Sequence, residues 1–199
     1  MSTALVVLAA GASTRLGTCK ALVDLGGRTP LARLLEAGAA FDGAPALVVT
    51  GADHARIAAS LPPGVAALEN PRWAEGRAGG VALAAQARPG YDLCLAPVDV
   101  PLVPPEVFVA LAQAWRAAGE PARGWLAPCV TRAGVRQFGH PVVVGRDLVA
   151  RLAVTGKDLP LSSLRATADP LLAVEVESLR ILDDLDTPAD LERLIRLLS

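Results

Sequence analysis

Short apolar segments that alternate with helical patterns are the feature that most constrains the fold of this chain. The segments at 4–9, 46–50, 65–68 and 92–97 are rich in Val, Leu and Ala, without the polar alternation of a half-exposed strand. Strands of this kind are typically buried on both faces, in a parallel sheet covered by helices. The pattern therefore predicts a three-layer α/β fold with a mainly parallel central sheet.

The second half of the chain is less regular. Strand-like segments at 125–130, 140–144 and 172–176 are mixed with short helical patterns, and a final leucine-bearing helix is predicted to open at Thr187-Pro188. The sequence contains no internal repeat, low-complexity tract or linker, and its length of 199 residues is typical of one sizeable domain. We expect a single domain over residues 1–199.

Charge and composition exclude several classes of function. The 19 basic and 20 acidic residues nearly balance, and no run of Lys or Arg forms a nucleic-acid-binding footprint. The apolar runs are much shorter than a membrane span, and the N-terminus lacks the pattern of a signal peptide. Cys19, Cys94 and Cys129 are far apart and form neither a disulfide framework nor a zinc motif. We expect a cytoplasmic protein that binds neither nucleic acid nor a membrane.

The segment LAAGASTRLGTCK, residues 8–20, follows the first predicted strand. Open α/β sheets bind ligands beyond the carboxyl ends of their strands. The small residues at 9–12 let backbone amides approach a ligand closely, while Ser13 adds a hydroxyl group and Arg15 and Lys20 add charge for phosphate oxygens. The segment contains neither a G-x-G-x-x-G nor a G-K-[ST] motif. Its composition points to a triphosphate.

This pattern, L-A-A-G-x-S-x-R-x-G-x-x-K, resembles the signature loop of the nucleotidyltransferases with a Rossmann-like fold. The similarity is greatest to the enzymes that transfer nucleotides onto molybdopterin, the molybdenum cofactor cytidylyltransferases and guanylyltransferases. Four further segments resemble that family in order and spacing: NPRWAEG at 70–76, PVDVP at 97–101, GHP at 139–141 and LDDLDTPADL at 182–191. The resemblance implies a three-layer Rossmann-like nucleotidyltransferase fold.

The resemblance also implies an activity, the transfer of a nucleoside monophosphate from a nucleoside triphosphate to a phosphorylated acceptor, with release of pyrophosphate. The nucleotide would bind in a half formed roughly by residues 1–100 and the acceptor, molybdopterin, in residues 101–199. CTP is favoured over GTP because guanylyl enzymes often have a second glycine where this loop has alanine. Proteins that mature molybdoenzymes are implied as partners. Two alternatives stay open, namely a sugar, polyol or lactyl phosphate as acceptor, and a nucleotide-binding module without catalysis.

Individual residues take their expected roles from the same resemblance. Arg15 and Lys20 would be catalytic, because they offset charge on the departing pyrophosphate. Gly79 and Gly80 depart from the family, whose members commonly carry serines there, and this puts base or ribose recognition in question. The nucleotide-binding residues would be Leu8, Ala9, Ala10, Gly11, Ser13, Arg15, Lys20, Asn70 and Gly76.

Carboxylates are expected to bind Mg²⁺, because nucleotidyl transfer joins two anionic partners and a divalent ion offsets their charge. Mg²⁺ commonly uses one or two carboxylates together with substrate phosphates. The resemblance implies Asp99, a catalytic residue, and Asp184 as the metal ligands. Asp186 is the weaker candidate, since an acid just before a helix can satisfy its free amides. His140 is expected to contact the acceptor, with a hydrogen bond inside the fold as the alternative.

Overall fold

The computed structural model describes residues 3–155 and 161–198, and its strands form one mixed sheet. The described strands are β1 Thr3–Ala9, β2 Leu47–Thr50, β3 Ala66–Glu69, β4 Asp92–Pro97, β5 Trp125–Arg132, β6 Val135–Phe138, β7 Val142–Val144 and β8 Leu171–Glu175. The described α-helices are α1 Pro30–Ala37, α2 His54–Ser60, α3 Arg77–Ala87, α4 Pro105–Ala117, α5 Arg146–Thr155, α6 Leu161–Ala166 and α7 Pro188–Arg196.

The sheet has two parts with different strand directions. The order is β3-β2-β1-β4-β7-β5-β6, with β8 paired to β5. Neighbours from β3 to β4 are parallel, as are β5 and β8, whereas β7 is antiparallel to both β4 and β5, and β6 is antiparallel to β5. The expected α/β fold with a mainly parallel sheet is confirmed, and the second half adds the antiparallel pairs.

Two apolar layers cover the sheet, as the uninterrupted apolar strands predicted. Successive side chains of a strand point to opposite faces. In β1, Leu5 and Val7 pack on one face with α1 and α4, while Ala4 and Val6 pack on the other with α3 and α5. None of the helices in the described part of the chain is both long enough and apolar enough to span a bilayer.

A third apolar cluster joins the beginning of the chain to its end. It contains Leu16 and Leu25 from the loop after β1, Leu102 from the loop after β4, Leu185, and Leu194 of α7. The contact holds the loop after β1 against the acidic segment that precedes α7. Residues far apart in sequence are thereby fixed at one edge of the sheet.

Candidate active site

The carboxyl ends of β1 and β4 lie side by side, and the loops that follow them open onto a cavity of about 280 Å³. We call this the first cavity. A ligand is expected here because neighbouring crossovers leave a crevice at this edge of an open sheet. Its lining includes these residues from the sequence prediction: Leu8, Ala10, Gly11, Ser13, Arg15, Lys20, Asn70, Gly76, Asp99 and Asp186. The side chain of Ala9 packs instead in the core.

The loop after β1 is folded around Ser13. Ser13 has a φ of +52°, and its carbonyl accepts hydrogen bonds from the backbone amides of Leu16 and Gly17, both at 3.1 Å. Its hydroxyl oxygen accepts a hydrogen bond from the backbone amide of Lys20 at 3.1 Å. Ser13 therefore fixes the shape of the loop. Its hydroxyl oxygen holds the backbone of Lys20, which sets where the Lys20 side chain begins.

Lys20 and Arg15 converge on one carboxylate, that of Asp186. The Lys20 ammonium donates to Asp186 Oδ1 at 2.7 Å, and the Arg15 guanidinium lies 2.9 Å from Oδ2. The hydrogen bond from Lys20 is the main reason that the pKa of Asp186 is lowered. Two cations on this edge can therefore hold an anion.

The start of α7 shows which residue caps this helix, and it is not Asp186. The helix is capped by Thr187, whose hydroxyl oxygen accepts from the Asp190 amide, and Asp190 in turn accepts from the Thr187 amide at 2.9 Å. This reciprocal capping box satisfies the helix start. The Asp186 carboxylate is directed to Lys20 and Arg15 and does not cap the helix.

Asp99 and Asp184 approach each other because the acidic segment is bonded to the end of β4. The Leu185 amide donates to the Asp99 carbonyl at 2.7 Å. Partial burial raises the pKa of Asp184, and the negative charges of Asp99 and Asp186 raise it further. Asp99 itself is paired with Arg77, whose guanidinium lies 2.6 Å from its Oδ2.

No group of three or more His, Cys, Asp or Glu side chains forms a metal site by itself in the residues that the structure describes. Mg²⁺ is commonly held by one or two carboxylates plus substrate phosphates, so the chemistry of carboxylates beside a loop that carries Arg15 and Lys20 fits this ion. Asp99 lines the first cavity, whereas Asp184 is not among its lining residues.

Asn70 is buried beneath the start of α3 with part of its amide unused. Its backbone amide donates to the Thr50 carbonyl at 2.8 Å, and its Oδ1 accepts from the Arg72 amide at 3.1 Å. Its Nδ2 has no hydrogen-bond partner among the described residues. Buried polar groups are normally paired, so Nδ2 is available to a ligand at the edge of the first cavity.

The two glycines of α3 have different surroundings. A Cβ at Gly80 would lie 2.9 Å from Val49 Cγ1, so this glycine permits close packing of α3 on β2. A Cβ at Gly79 would meet only Asn70 Nδ2, at 3.7 Å. Gly76, which precedes the helix, has a φ of +117°, a conformation that favours glycine.

A second cavity of about 690 Å³ adjoins the first and shares Leu8, Gly76, Arg77 and Pro97 with it. Its other lining residues include Leu95, Trp125, His140, Val142, Ser162 and Arg165. Burial is the main reason that the pKa of His140 is lowered. Its Nδ1 is buried and has no hydrogen-bond partner within the described parts of the chain.

Arg77 and Asp183 are functional and structural residues that the sequence did not predict. Arg77 lies between the two cavities and pairs with Asp99 across 22 residues of sequence, which no local pattern predicts. The Asp183 carboxylate accepts from Arg180 at 2.9 Å and from Arg193 at 2.6 Å. It is thus a structural residue that fixes the acidic segment to α7.

The sequence profile of the MobA-like NTP transferase domain matches residues 5–171. That range contains the loop after β1, Asn70, Asp99 and His140. The chain belongs to the MobA-like NTP transferase family. The prediction of a nucleotidyltransferase domain is therefore confirmed, while the acidic segment with Asp184 and Asp186 lies beyond the matched range.

Individual proteins are also similar to this chain over part or all of its length. The bifunctional protein GlmU of Dinoroseobacter shibae is 39% identical over 127 residues, which is 60% of this chain and only 28% of GlmU. The crystal structure of Rv0371c from Mycobacterium tuberculosis is 25% identical, covers 98% of both chains and has a TM-score of 0.76. A second Rv0371c structure, in complex with manganese, covers 98% of this chain and 99% of that one, at 22% identity and a TM-score of 0.73.

A third fold relative contains a nucleotide. It is CMP:2-keto-3-deoxy-manno-octonic acid synthetase complexed with CTP, which is 16% identical, covers 100% of this chain and 98% of its own, and has a TM-score of 0.78. At this identity the similarity concerns the fold. The three-layer architecture of the MobA-like chain is thus shared with a CTP-binding protein.

Proposed function

We propose that this protein is a Mg²⁺-dependent nucleotidyltransferase that transfers CMP from CTP to a phosphorylated acceptor and releases pyrophosphate, with GTP as the alternative donor. The observation that carries the proposal is the first cavity, where the small-residue loop, Arg15, Lys20 and Asp99 line one space of about 280 Å³. A site with two cations, a loop of small residues and a carboxylate suits a nucleoside triphosphate with its divalent ion. Membership in the MobA-like family supports the reaction class.

The proposed reaction is a direct in-line displacement. An oxygen of the acceptor phosphate attacks the α-phosphorus, a new P–O bond forms, and the bond to the bridging β-oxygen breaks as pyrophosphate leaves. Lys20 and Arg15 would exchange Asp186 for phosphate oxygens and stabilise the charge on pyrophosphate. Asn70 Nδ2 would donate to the ribose or base.

Asp99 and Asp184 would hold Mg²⁺, the charge-neutralising ion of this chemistry. The manganese complex of the fold relative Rv0371c supports a divalent ion. Asp186, already occupied by two cations, is the less suitable ligand. Asp99 and His140 would face the acceptor phosphate from opposite sides of the boundary between the cavities.

The second cavity is the proposed acceptor site, and molybdopterin carrying molybdenum is the proposed acceptor. An apolar wall with Leu95, Trp125 and Val142 and the unpaired Nδ1 of His140 suit a ring system with polar edges. Proteins that mature molybdoenzymes would then receive the product. The halves formed by residues 1–100 and 101–199 would bind donor and acceptor, respectively.

A sugar phosphate is the second candidate acceptor. The observation that favours it is the fold similarity to a putative glucose-1-phosphate thymidylyltransferase from Bacillus anthracis, with a TM-score of 0.81 at 12% identity. The proposed chemistry at the nucleotide would be the same for both acceptors. The two candidates differ in the group that would occupy the second cavity, a pterin ring system in one case and a sugar in the other.

The proposal is tested by thermal unfolding of the protein with Mg²⁺ and each of CTP, GTP, UTP and ATP. A ligand at about 100 times its dissociation constant stabilises a protein by about 2.7 kcal/mol, which for a chain of this size raises Tm by about 5 °C or more. We expect the largest shift with CTP. Pyrophosphate release is then measured with molybdopterin and, separately, with glucose 1-phosphate and other sugar phosphates.

Each result has a distinct meaning. A larger shift with GTP would change the proposed donor, and release with a sugar phosphate alone would replace molybdopterin with the second candidate. A shift with a triphosphate but no pyrophosphate release with any acceptor would favour a binding module. The absence of a shift with all four nucleotides would contradict the nucleotide site itself.

A Gly79→Ser variant is expected to be more stable and to bind CTP about five-fold more weakly. The new hydroxyl group can accept a hydrogen bond from Asn70 Nδ2, which then competes with the nucleotide for the amide, at about 1 kcal/mol for such a bond. Serine in place of glycine also stabilises a helix by about 0.5 kcal/mol. Calorimetric titration with CTP and thermal unfolding measure both effects.

Gly79→Ala is the matched control, because it gives the helix stabilisation without the hydroxyl group. Its CTP affinity should stay at the wild-type value. Equal CTP affinity in the serine and alanine variants would remove Asn70 Nδ2 from the proposed nucleotide contacts. Gly80→Ser should instead lower stability, since Val49 Cγ1 occupies the space needed.

A further inference from the structure

Arg77 stands at the boundary of the two cavities and lines both. It is the first residue of α3, directly after Gly76, and 60% of its side chain is exposed. Its guanidinium lies 2.6 Å from Asp99 Oδ2, whereas 18% of the Asp99 side chain is exposed. A largely solvated cation is thus paired with a largely buried carboxylate just after β4.

A divalent ion on Asp99 and the guanidinium in its observed position would compete. Arg77 occupies Oδ2, so an ion that uses both carboxylate oxygens must displace it, and an ion on Oδ1 alone would lie a few ångströms from a second cation that repels it. In both cases metal binding to Asp99 favours a position of Arg77 away from the carboxylate. Since its side chain is largely exposed, Arg77 can rotate about its own bonds while α3 stays in place.

We infer that Arg77 is a positioning residue that competes with the metal ion for Asp99, so that the metal binds tightly only together with a nucleotide. This inference rests on the proposed function, in which Asp99 is a metal ligand. A metal–nucleotide complex supplies phosphate oxygens within the cavity that Arg77 already lines, and these give the displaced guanidinium a new anionic partner. The free metal ion supplies none.

The inference predicts a coupling between metal and nucleotide. Binding of CTP should strengthen binding of Mn²⁺, and by linkage Mn²⁺ should strengthen CTP to the same extent. Arg77 contributes to this coupling because the nucleotide phosphates replace Asp99 as the anionic partner of its guanidinium. Without the guanidinium, Asp99 would be open to Mn²⁺ from the start, and part of the coupling would disappear.

The test is titration of Mn²⁺ into the full-length protein, followed by the electron paramagnetic resonance signal of free Mn²⁺, with and without CTP. Arg77→Met should bind Mn²⁺ alone about five-fold more tightly than wild type, a change of the size expected for the loss of one exposed ion pair. The ratio of Mn²⁺ affinities with and without CTP should fall by a similar factor. Arg77→Lys keeps the positive charge and should return both values toward wild type.

Arg72→Met is the matched control, because Arg72 forms an ion pair of the same 2.6 Å length with Glu75 in the preceding segment. It should leave Mn²⁺ affinity unchanged. If Arg77→Met binds Mn²⁺ as wild type does, or if Arg72→Met tightens binding equally, the inference is wrong. If Asp99→Asn binds Mn²⁺ as tightly as wild type, the proposed metal site fails instead, so the two failures are distinguishable.

Discussion

An Asp99→Asn variant is expected to lose turnover by about a thousandfold or more and to keep its fold. Asparagine has nearly the same shape, and the exposed pair with Arg77 contributes about 1 kcal/mol or less to stability. In the proposed mechanism, however, the carboxylate holds the ion that neutralises the reacting phosphates, a contribution of several kcal/mol to the barrier. Pyrophosphate release over a range of Mg²⁺ concentrations, together with circular dichroism, measures both expectations.

Asp183→Asn is the matched control for this variant. Its side chain is 19% exposed, almost the same as that of Asp99, and it also accepts from arginine. Its partners are Arg180 and Arg193, which fix the acidic segment to α7. The control should therefore lower Tm without changing the dependence on Mg²⁺. Substantial turnover in Asp99→Asn would remove Asp99 from the proposed metal site.

A Lys20→Met variant is expected to bind CTP about 10-fold to 100-fold more weakly. Only 12% of the Lys20 side chain is exposed, so its ammonium group is held in the first cavity by the loop and by Asp186. Hydrogen bonds to charged groups contribute about 1.5–3 kcal/mol, and methionine keeps the apolar stem. Isothermal titration of CTP in the presence of Mg²⁺ gives the affinity.

Arg15→Met provides the comparison, because Arg15 shares the same carboxylate partner but 69% of its side chain is exposed. Solvent screens exposed charges, so the loss of CTP affinity should be smaller, about 3-fold to 10-fold. If Arg15→Met weakens CTP binding more than Lys20→Met does, the stronger phosphate contact belongs to Arg15. Wild-type affinity in both variants would contradict the phosphate-binding role of the loop.

The parallel part of the fold could be predicted from the sequence because a strand that is buried on both faces is an almost continuous run of apolar residues. In β1 and β4, the positions after the first residue of each strand are all apolar or small whichever face they point to, and the uninterrupted runs show this. By contrast, β6 has four exposed residues, Val135–Phe138, and nothing in this segment distinguishes an edge strand from a loop. The direction of β7 follows from how the chain returns to β4, which is a property of the whole sheet.

The loop after β1 could be predicted from the sequence because its small and charged residues all lie within the 13 positions 8–20. The ion pairs between this edge's charged residues could not be predicted in the same way. Lys20 meets Asp186 across 166 residues, and Arg77 meets Asp99 across 22 residues, so each contact depends on the packing of separate elements. For Asp186 the local pattern fitted a helix cap equally well, and the capping box of Thr187 and Asp190 decides between the two.

The leucine cluster that joins the loop after β1 to α7 has a consequence for protein synthesis. A ribosome makes β1 to β4 first, so the charged loop leaves the exit tunnel long before its partners Leu185, Asp186 and Leu194 exist. A nascent chain that lacks these residues has neither the leucine contacts that hold the loop nor the Asp186 carboxylate that pairs with Lys20. In the proposed mechanism, the site is therefore complete only after residues 184–194 have been synthesised and pack against the loop after β1.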